Sequence, residues 1–314
     1  MNAPLIEQRR REIVEQYGEW EGENFQLFGD VYTRGKDANV YNYRLQRLVR
    51  MIEDFHGSFS DLRVLDIGSF EGAHSIEFAL RGSQVVGIEG RDTNLAKARF
   101  AQEVLRLNDL EFIKDDIRNI SKEKYGEYDL TLCSGVLYHL NEPDVFTFLE
   151  SVGSVTKRYA IIDTHISISP VEKVSFKEKD YYGWSYVEFA QNPSAEQEEE
   201  AVLSSMGNLR SFWLTRASLY NFLSGIGFTS IYECHVPNAT LPKDRVTLLA
   251  IKGQVQGLRC SPVIKDYPTP PYNEEQPEIN SQQKSYFELK SHAHIPLWRR
   301  LVSRFHNSLQ KLQK

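Results

Sequence analysis

The run Leu62–Gly72, LRVLDIGSFEG, constrains this chain more than any other stretch. Val64, Leu65 and Ile67 form a short, partly β-branched apolar run, of the kind buried on both faces of a parallel sheet. It passes Asp66, turns at Gly68, and resumes with a helix expected over Ala73–Leu80. A strand, a glycine turn and a helix in this order let backbone N–H groups approach a ligand closely. Asp66 then stands at a strand's carboxyl end, the edge where open α/β sheets bind ligands. A second strand, Ser83–Gly90, ends in Glu89, 23 residues after Asp66. That separation suits a βαβ unit presenting an acid to a ribose diol.

Two nucleoside-binding folds share this logic. The dinucleotide fold needs G-x-G-x-x-G, whereas this chain offers only Gly68 and Gly72. The run instead resembles the first motif, D/E-x-G-x-G-x-G, of the class I S-adenosylmethionine (SAM) methyltransferases. Asp66, Gly68 and Gly72 match it, and Phe70 replaces the middle glycine. A second resemblance lies in Ser134-Gly135-Val136-Leu137-Tyr138-His139-Leu140, followed by Asn141-Glu142-Pro143. It falls after a fourth strand at Tyr128–Cys133, with Pro143 suited to the first position of a helix reaching about Val152.

The resemblance implies a Rossmann-like α/β fold: a seven-stranded, mostly parallel sheet with helices on both faces and an antiparallel last strand. It implies SAM as cofactor, leaving as S-adenosylhomocysteine (SAH), and no metal. It sets Asp66, Gly68, Ser69 and Gly72 near the amino-acid end of the cofactor and Glu89 at the ribose. Asp116, with Ile117 beside it after a strand at Leu110–Ile113, goes to the adenine, and Ser134 lies close by. The activity implied is methyl transfer to a small-molecule hydroxyl, on a sugar or a natural-product intermediate. A tRNA wobble-uridine modifying enzyme is the narrower alternative, because G-V-L-Y-H also resembles that group. A non-catalytic SAM-binding scaffold is the other, because of Phe70. Removing a hydroxyl proton needs a base, and an imidazole titrates in the right range. His139 is the first candidate, His165 at the end of a strand over Tyr159–Thr164 the second, and His235 the third.

Elsewhere the pattern sets domain boundaries. Residues 1–58 read as a helical cap segment: a helix to about Gly18, then a stretch in which Trp20, Asn24, Leu27, Gly29, Tyr32 and Thr33 resemble a family motif that closes the cofactor pocket, then a helix over 39–55. The methyltransferase domain is expected over 59–257. In it Asp92 reads as the cap of a helix that Asn108 stops, and 166–214 reads as an acceptor lid with an acidic helix, AEQEEEAVLSSM. Tyr32, Tyr138, Tyr182, Trp184 and Trp213 are the candidate substrate contacts. A proline-rich linker follows at 258–283, then a basic amphipathic helix at 284–314. That helix is expected to dock on protein, on this domain or in a homodimer, rather than insert stably in a membrane.

Composition narrows the partners. With 41% hydrophobic and 25% charged residues the 314-residue chain reads as globular, and a net charge of −6 disfavours nucleic acid. Cys133, Cys234 and Cys260 lack metal-ligand spacing, and the charged N-terminus lacks an apolar signal core, so a cytoplasmic location is expected.

Overall fold

The computed structural model describes residues 2–36, 43–234 and 243–254. The chain opens with α1 (Ala3–Tyr17), capped by the Asn2 side chain on the Leu5 N–H and ended at Gly18. A small hairpin, β1 (Gln26–Phe28) and β2 (Val31–Tyr32), leads to α2 (Tyr43–Phe55). Then strands and helices alternate: β3 (Arg63–Ile67), α3 (Ala73–Leu80), β4 (Gln84–Glu89), α4 (Asp92–Leu105), β5 (Leu110–Lys114), the short α5 (Lys122–Tyr125), β6 (Tyr128–Ser134), α6 (Asp144–Val155) and β7 (Thr156–His165). After an insertion come α8 (Arg216–Gly225), β11 (Ser230–Glu233) and β12 (Arg245–Ile251).

One seven-stranded sheet runs β11-β12-β7-β6-β3-β4-β5. β3 pairs in parallel with both β4 and β6, and only β12 runs against its neighbours, β7 and β11. The expected architecture is therefore present. Strand order reverses between β3 and β4 on one side and β6 on the other, the crevice where such sheets bind ligands. The strands are apolar on both sides, and two cores result: α6 and α8 cover one face, α1, α2 and α4 the other. Leu65, Ile67, Leu130, Leu132 and Ile161 are fully buried between them.

The insertion is more ordered than a lid loop. β8 (Glu172–Phe176), β9 (Lys179–Val187) and β10 (Arg210–Leu214) form an antiparallel sheet, ordered β10-β9-β8, with α7 (Ala195–Glu200) between β9 and β10. β9 alternates cleanly. Tyr181 points into the core against Phe146 and Phe222, while Tyr182, Trp184 and Tyr186 share the opposite face.

Several local expectations are corrected by tertiary contacts. Asp92 is not the cap of α4: its carboxylate is paired with the Lys114 ammonium, and Arg91 takes the cap position without a side-chain bond. Asn108 does not end that helix, because Arg106 already turns left-handed (φ 57°) and bonds back to the Gln102 and Glu103 carbonyls. Pro143 is the N-cap of α6 rather than its first residue, and α6 runs on to Val155. The acidic helix stops at Glu200, where the chain turns its carbonyls toward Arg91. His235, the linker at 258–283 and the tail at 284–314 lie outside the described residues. Among those described, no helix is long and apolar enough to cross a membrane, and no group of three or more His, Cys, Asp or Glu side chains could hold a metal ion.

Candidate active site

The turn after β3 adopts positive φ three times, at Gly68 (68°), Phe70 (54°) and Gly72 (85°). Phe70 thus takes the left-handed conformation that glycine would take freely, at a cost of about 1–2 kcal/mol. Two contacts hold it there. Its N–H donates to Glu89 Oε2 at 2.9 Å, and its ring packs against the Cα of Gly22 in the N-terminal segment, where a side chain on Gly22 would collide. The missing glycine is therefore a replacement that keeps the loop's shape and fastens the cap segment to it. Gly68 faces Val136 so closely that an added Cβ would lie 2.9 Å from a methyl group. The β3 and β6 loops consequently meet at the switch point.

Glu71 secures the same junction. It is fully buried beside Lys97, with Nζ 2.9 Å from Oε1, and it accepts from the backbone N–H groups of Glu21 and Gly22. Lys97 also donates to the Glu19 carbonyl and lies 5.8 Å from the Trp20 ring centre. Asn24 ties the segment together through Thr33, Arg34 and Gly35. Tyr32, expected against the acceptor, sits half-buried in this hairpin, on a different element from the aromatic cluster described below.

Around the crevice the expected cofactor residues come together. Asp66 is buried at 1% exposure; its Oδ2 accepts from Ser75 at 2.6 Å and its Oδ1 has no hydrogen-bond partner among the described residues. The hydroxyls of Ser69 and Ser134 are likewise buried without a hydrogen-bond partner among the described residues. Burial pushes the Asp66 carboxyl upward, opposed by the nearby His74. Glu89 is raised by burial too, although Arg91 N–H, Asn94 and Phe70 N–H all bond to its carboxylate. Asp116 is more exposed and caps the short turn Ile117–Asn119, with Arg118 on its carboxylate. Its neighbour Asp115 is committed elsewhere, to Lys124, Tyr125 and Asn119, and is held down at about 2, the bonds from Asn119 and Lys124 overriding its burial. Ile117 packs on the core.

The insertion reaches over this crevice. Arg91 Nη2 donates to the carbonyls of Ala201 and Ser204 at 3.2 and 2.9 Å, and Nε donates to that of Glu198 at 3.2 Å. Arg118 donates to the Met206 carbonyl, and the Met206 sulfur rests against Gly90. Neither arginine carries a recognisable motif. Arg91 could have been suspected only because a basic residue stands two positions after Glu89.

On the other side, Tyr138, Trp184 and Trp213 form one aromatic surface with Tyr186. Trp213 stacks on Tyr186 (4.8 Å) and on His165 (4.9 Å), and meets Trp184 edge-on at 5.5 Å. Tyr182 shares their face of β9, and its backbone bonds to Thr215 and Ser218. Tyr138 touches both histidines, at 4.3 Å from His139 and 4.8 Å from His165. The histidines differ in what they can do. His139 Nδ1 lies 3.0 Å from Glu188 Oε1, and that buried carboxylate also accepts from Ser211 at 2.8 Å. A carboxylate only accepts, so Nδ1 carries a proton, and in the neutral ring the lone pair is then on Nε2. His165 Nε2 accepts from Arg245 Nη1 at 3.1 Å and its Nδ1 faces Asp244 at 3.7 Å. Its Nε2 lone pair is thereby taken up by protein. Glu188 was missed in the sequence because it lies 49 residues from His139 and only the sheet β10-β9 brings it back.

Comparisons with known proteins agree with this geometry. Residues 58–202 match the sequence model of a methyltransferase domain family. The ubiquinone biosynthesis O-methyltransferase of Acinetobacter baylyi is 27% identical over 92 residues, 29% of this chain and 39% of that enzyme. Its counterpart in Bordetella parapertussis is 34% identical over 98 residues, 29% of this chain and 38% of that enzyme. The match thus spans well under half of either relative. The N-terminal domain of EvdMO1, solved in the presence of SAH and D-fucose, superposes with a TM-score of 0.60 at 23% identity, covering 80% of this chain and 97% of that one. Fold, crevice and the matched domain lead to one assignment: residues 58–202 carry a methyltransferase domain, on a Rossmann-like fold shared with the N-terminal domain of EvdMO1.

Proposed function

We propose that this chain binds SAM across the ends of β3, β4 and β5 and methylates a hydroxyl of a small molecule, a sugar or natural-product intermediate, lying against Tyr138, Trp184 and Trp213. The observation that carries the reading is the His139–Glu188 pair beside that aromatic surface. Buried hydroxyls and a carboxylate oxygen without hydrogen-bond partners among the described residues, at Ser69, Ser134 and Asp66, fit the polar amino-acid end of the cofactor. Glu89 would hold the ribose and Asp116 the adenine. The O-methyltransferase activity in the curated relatives' names supports oxygen as the acceptor atom.

When bound, SAM supplies an electrophilic methyl group on a sulfonium. Every other contribution comes from the chain. His139 Nε2 would take the proton of the acceptor hydroxyl, and Glu188 would hold the imidazole in the required tautomer and stabilise its charged form; the methyl group that the oxygen gains would come from the sulfonium, its C–S bond breaking to leave SAH. The aromatic surface fixes the acceptor's ring or chain, which removes much of the entropic part of the barrier. The insertion, fastened by Arg91 and Arg118, excludes water from the crevice.

Titration calorimetry with SAM, paired with transfer of labelled methyl to an acceptor panel, tests the reading. Glu89→Gln keeps the shape of the side chain but loses its charge. It is expected to weaken SAM binding by about tenfold, the worth of one hydrogen bond to a charged group. An unchanged affinity in a folded variant would remove Glu89 from the ribose. SAM binding without transfer to any acceptor would favour a non-catalytic role.

A further inference from the structure

Among the described residues, the carboxyl ends of β6 and β7 carry a charge imbalance. Asp163, at the end of β7, is fully buried and faces three guanidinium groups. Arg245 donates to it at 2.8 Å from Nε and again from Nη2, while Arg44 Nε lies 3.1 Å and Arg47 Nη2 3.8 Å away. Thr247 donates to the same carboxylate. Burial alone would raise the Asp163 carboxyl, but the charges of Arg44 and Arg245 hold it below the usual range. One carboxylate cannot neutralise three arginines. Asp244 stands across the His165 ring from Arg245.

The donors are also under-used. Arg44 Nε and Nη2 and Arg47 Nε are buried with no hydrogen-bond partner among the described residues. The Arg44 ion pair is close but not aligned as a hydrogen bond. A buried donor left without an acceptor gives up its hydration with nothing in exchange. A protein that needed only to anchor α2 to the sheet would do so with one arginine.

Their placement says what they face. Arg44 Nη2 presses on the Cα of Gly135, the residue after β6, where a Cβ would come within 2.4 Å. The Arg245 guanidinium lies 5.6 Å over the Tyr138 ring, whose other neighbours are His139 and His165. The cluster therefore adjoins the aromatic surface at which the acceptor is proposed to lie.

We propose that Arg44, Arg47 and Arg245 form an oxyanion subsite and that the methyl acceptor carries a carboxylate or phosphate bound there. The inference rests on the proposed function above and names its substrate class. Planar guanidinium groups pair two-pronged with such oxyanions, which fixes orientation as well as charge. Asp163 holds Arg245 and Arg44 in place for the incoming group.

The test uses the full-length protein saturated with SAH and titrates it with inorganic phosphate and, separately, with acetate. Binding is expected for at least one of them, and their ratio separates a phosphate-bearing from a carboxylate-bearing acceptor. Arg47→Gln is expected to weaken that binding by about fivefold or more, as the loss of a charge-assisted hydrogen bond requires, while leaving SAM affinity unchanged. Arg245→Lys, which keeps the charge beside Asp163 but loses the fork, is the second variant; it is expected to weaken phosphate binding, and its melting curve, lowered by the lost bonds to Asp163, shows that it still folds cooperatively. Anion binding that is absent, or equal in all three proteins, would make the cluster a structural ion-pair set and overturn the proposal. If the variants lose SAM affinity instead, and phosphate displaces SAM, the oxyanion is the cofactor's own carboxylate and the proposal also falls. Failure of the parent protein to bind SAM at all would refute the underlying function, a result read separately from either.

Discussion

Glu71→Ala is expected to destabilise the protein by about 3–5 kcal/mol, the cost of leaving one member of a buried ion pair without its partner. Lys97 would remain fully buried with only the Glu19 carbonyl as acceptor. The backbone N–H groups of Glu21 and Gly22 would lose theirs as well. Those are the contacts that seat the N-terminal segment on the first glycine loop, so the loss is local before it is global. Chemical denaturation of parent and variant gives the magnitude. Proteolysis then shows whether cleavage concentrates between Gly18 and Gly35. The double variant Glu71→Leu/Lys97→Met removes both charges and is expected to recover much of the loss, since well-packed apolar replacements of buried pairs are often neutral. A single-variant cost within about 1 kcal/mol, the scale of an exposed pair, would show that the pair opens to water in solution.

His139→Gln is expected to lower kcat by about 10²-fold or more with little change in SAM affinity. Glutamine can fill the space and can still bond to Glu188, but it cannot accept a proton from a hydroxyl. Glu188→Gln should reproduce part of the loss through the tautomer, because an amide can meet Nδ1 as a donor and move the imidazole proton to Nε2. The measurement that separates base from anchor is the pH–rate profile. In the parent protein the acid limb should report the imidazole; in His139→Gln that limb should flatten. An unaltered kcat would pass the proton to solvent or another group, and His165 is poorly placed to take it at Nε2, which already accepts from Arg245.

The sheet was readable from the chain because its strands are buried on both faces and their acids stand at regular strand ends. Asp66 and Glu89 are local to that pattern. The fastenings were not. Glu188 reaches His139 only through the pairing of Trp184 with Trp213 across β9 and β10. Arg91 spends its donors on carbonyls more than 100 residues away. Asp92 has every local mark of a helix cap and yet pairs with Lys114, an ion pair that no single-helix argument contains. Phe70 misled in the opposite direction. Its side chain breaks the glycine motif, but its backbone keeps the motif's geometry because Glu89 and Gly22 hold it there. The three arginines on Asp163 come from α2 and β12, roughly 120 residues on one side and 80 on the other, a convergence that only the folded sheet produces.

The insertion lies over both ends of the crevice with a single piece of chain. Its β9–β10 face forms the aromatic wall, and its 198–206 stretch is fastened to Arg91, two residues after Glu89. Under the proposed function, one covalent cover over two ligands would impose a sequence on them. The cofactor would enter before the cover settles, and its demethylated product would leave only after the cover had lifted and the methylated product had gone. Steady-state turnover should therefore be ordered, with SAH competing against SAM but not against the acceptor, and its departure should slow as solvent viscosity rises.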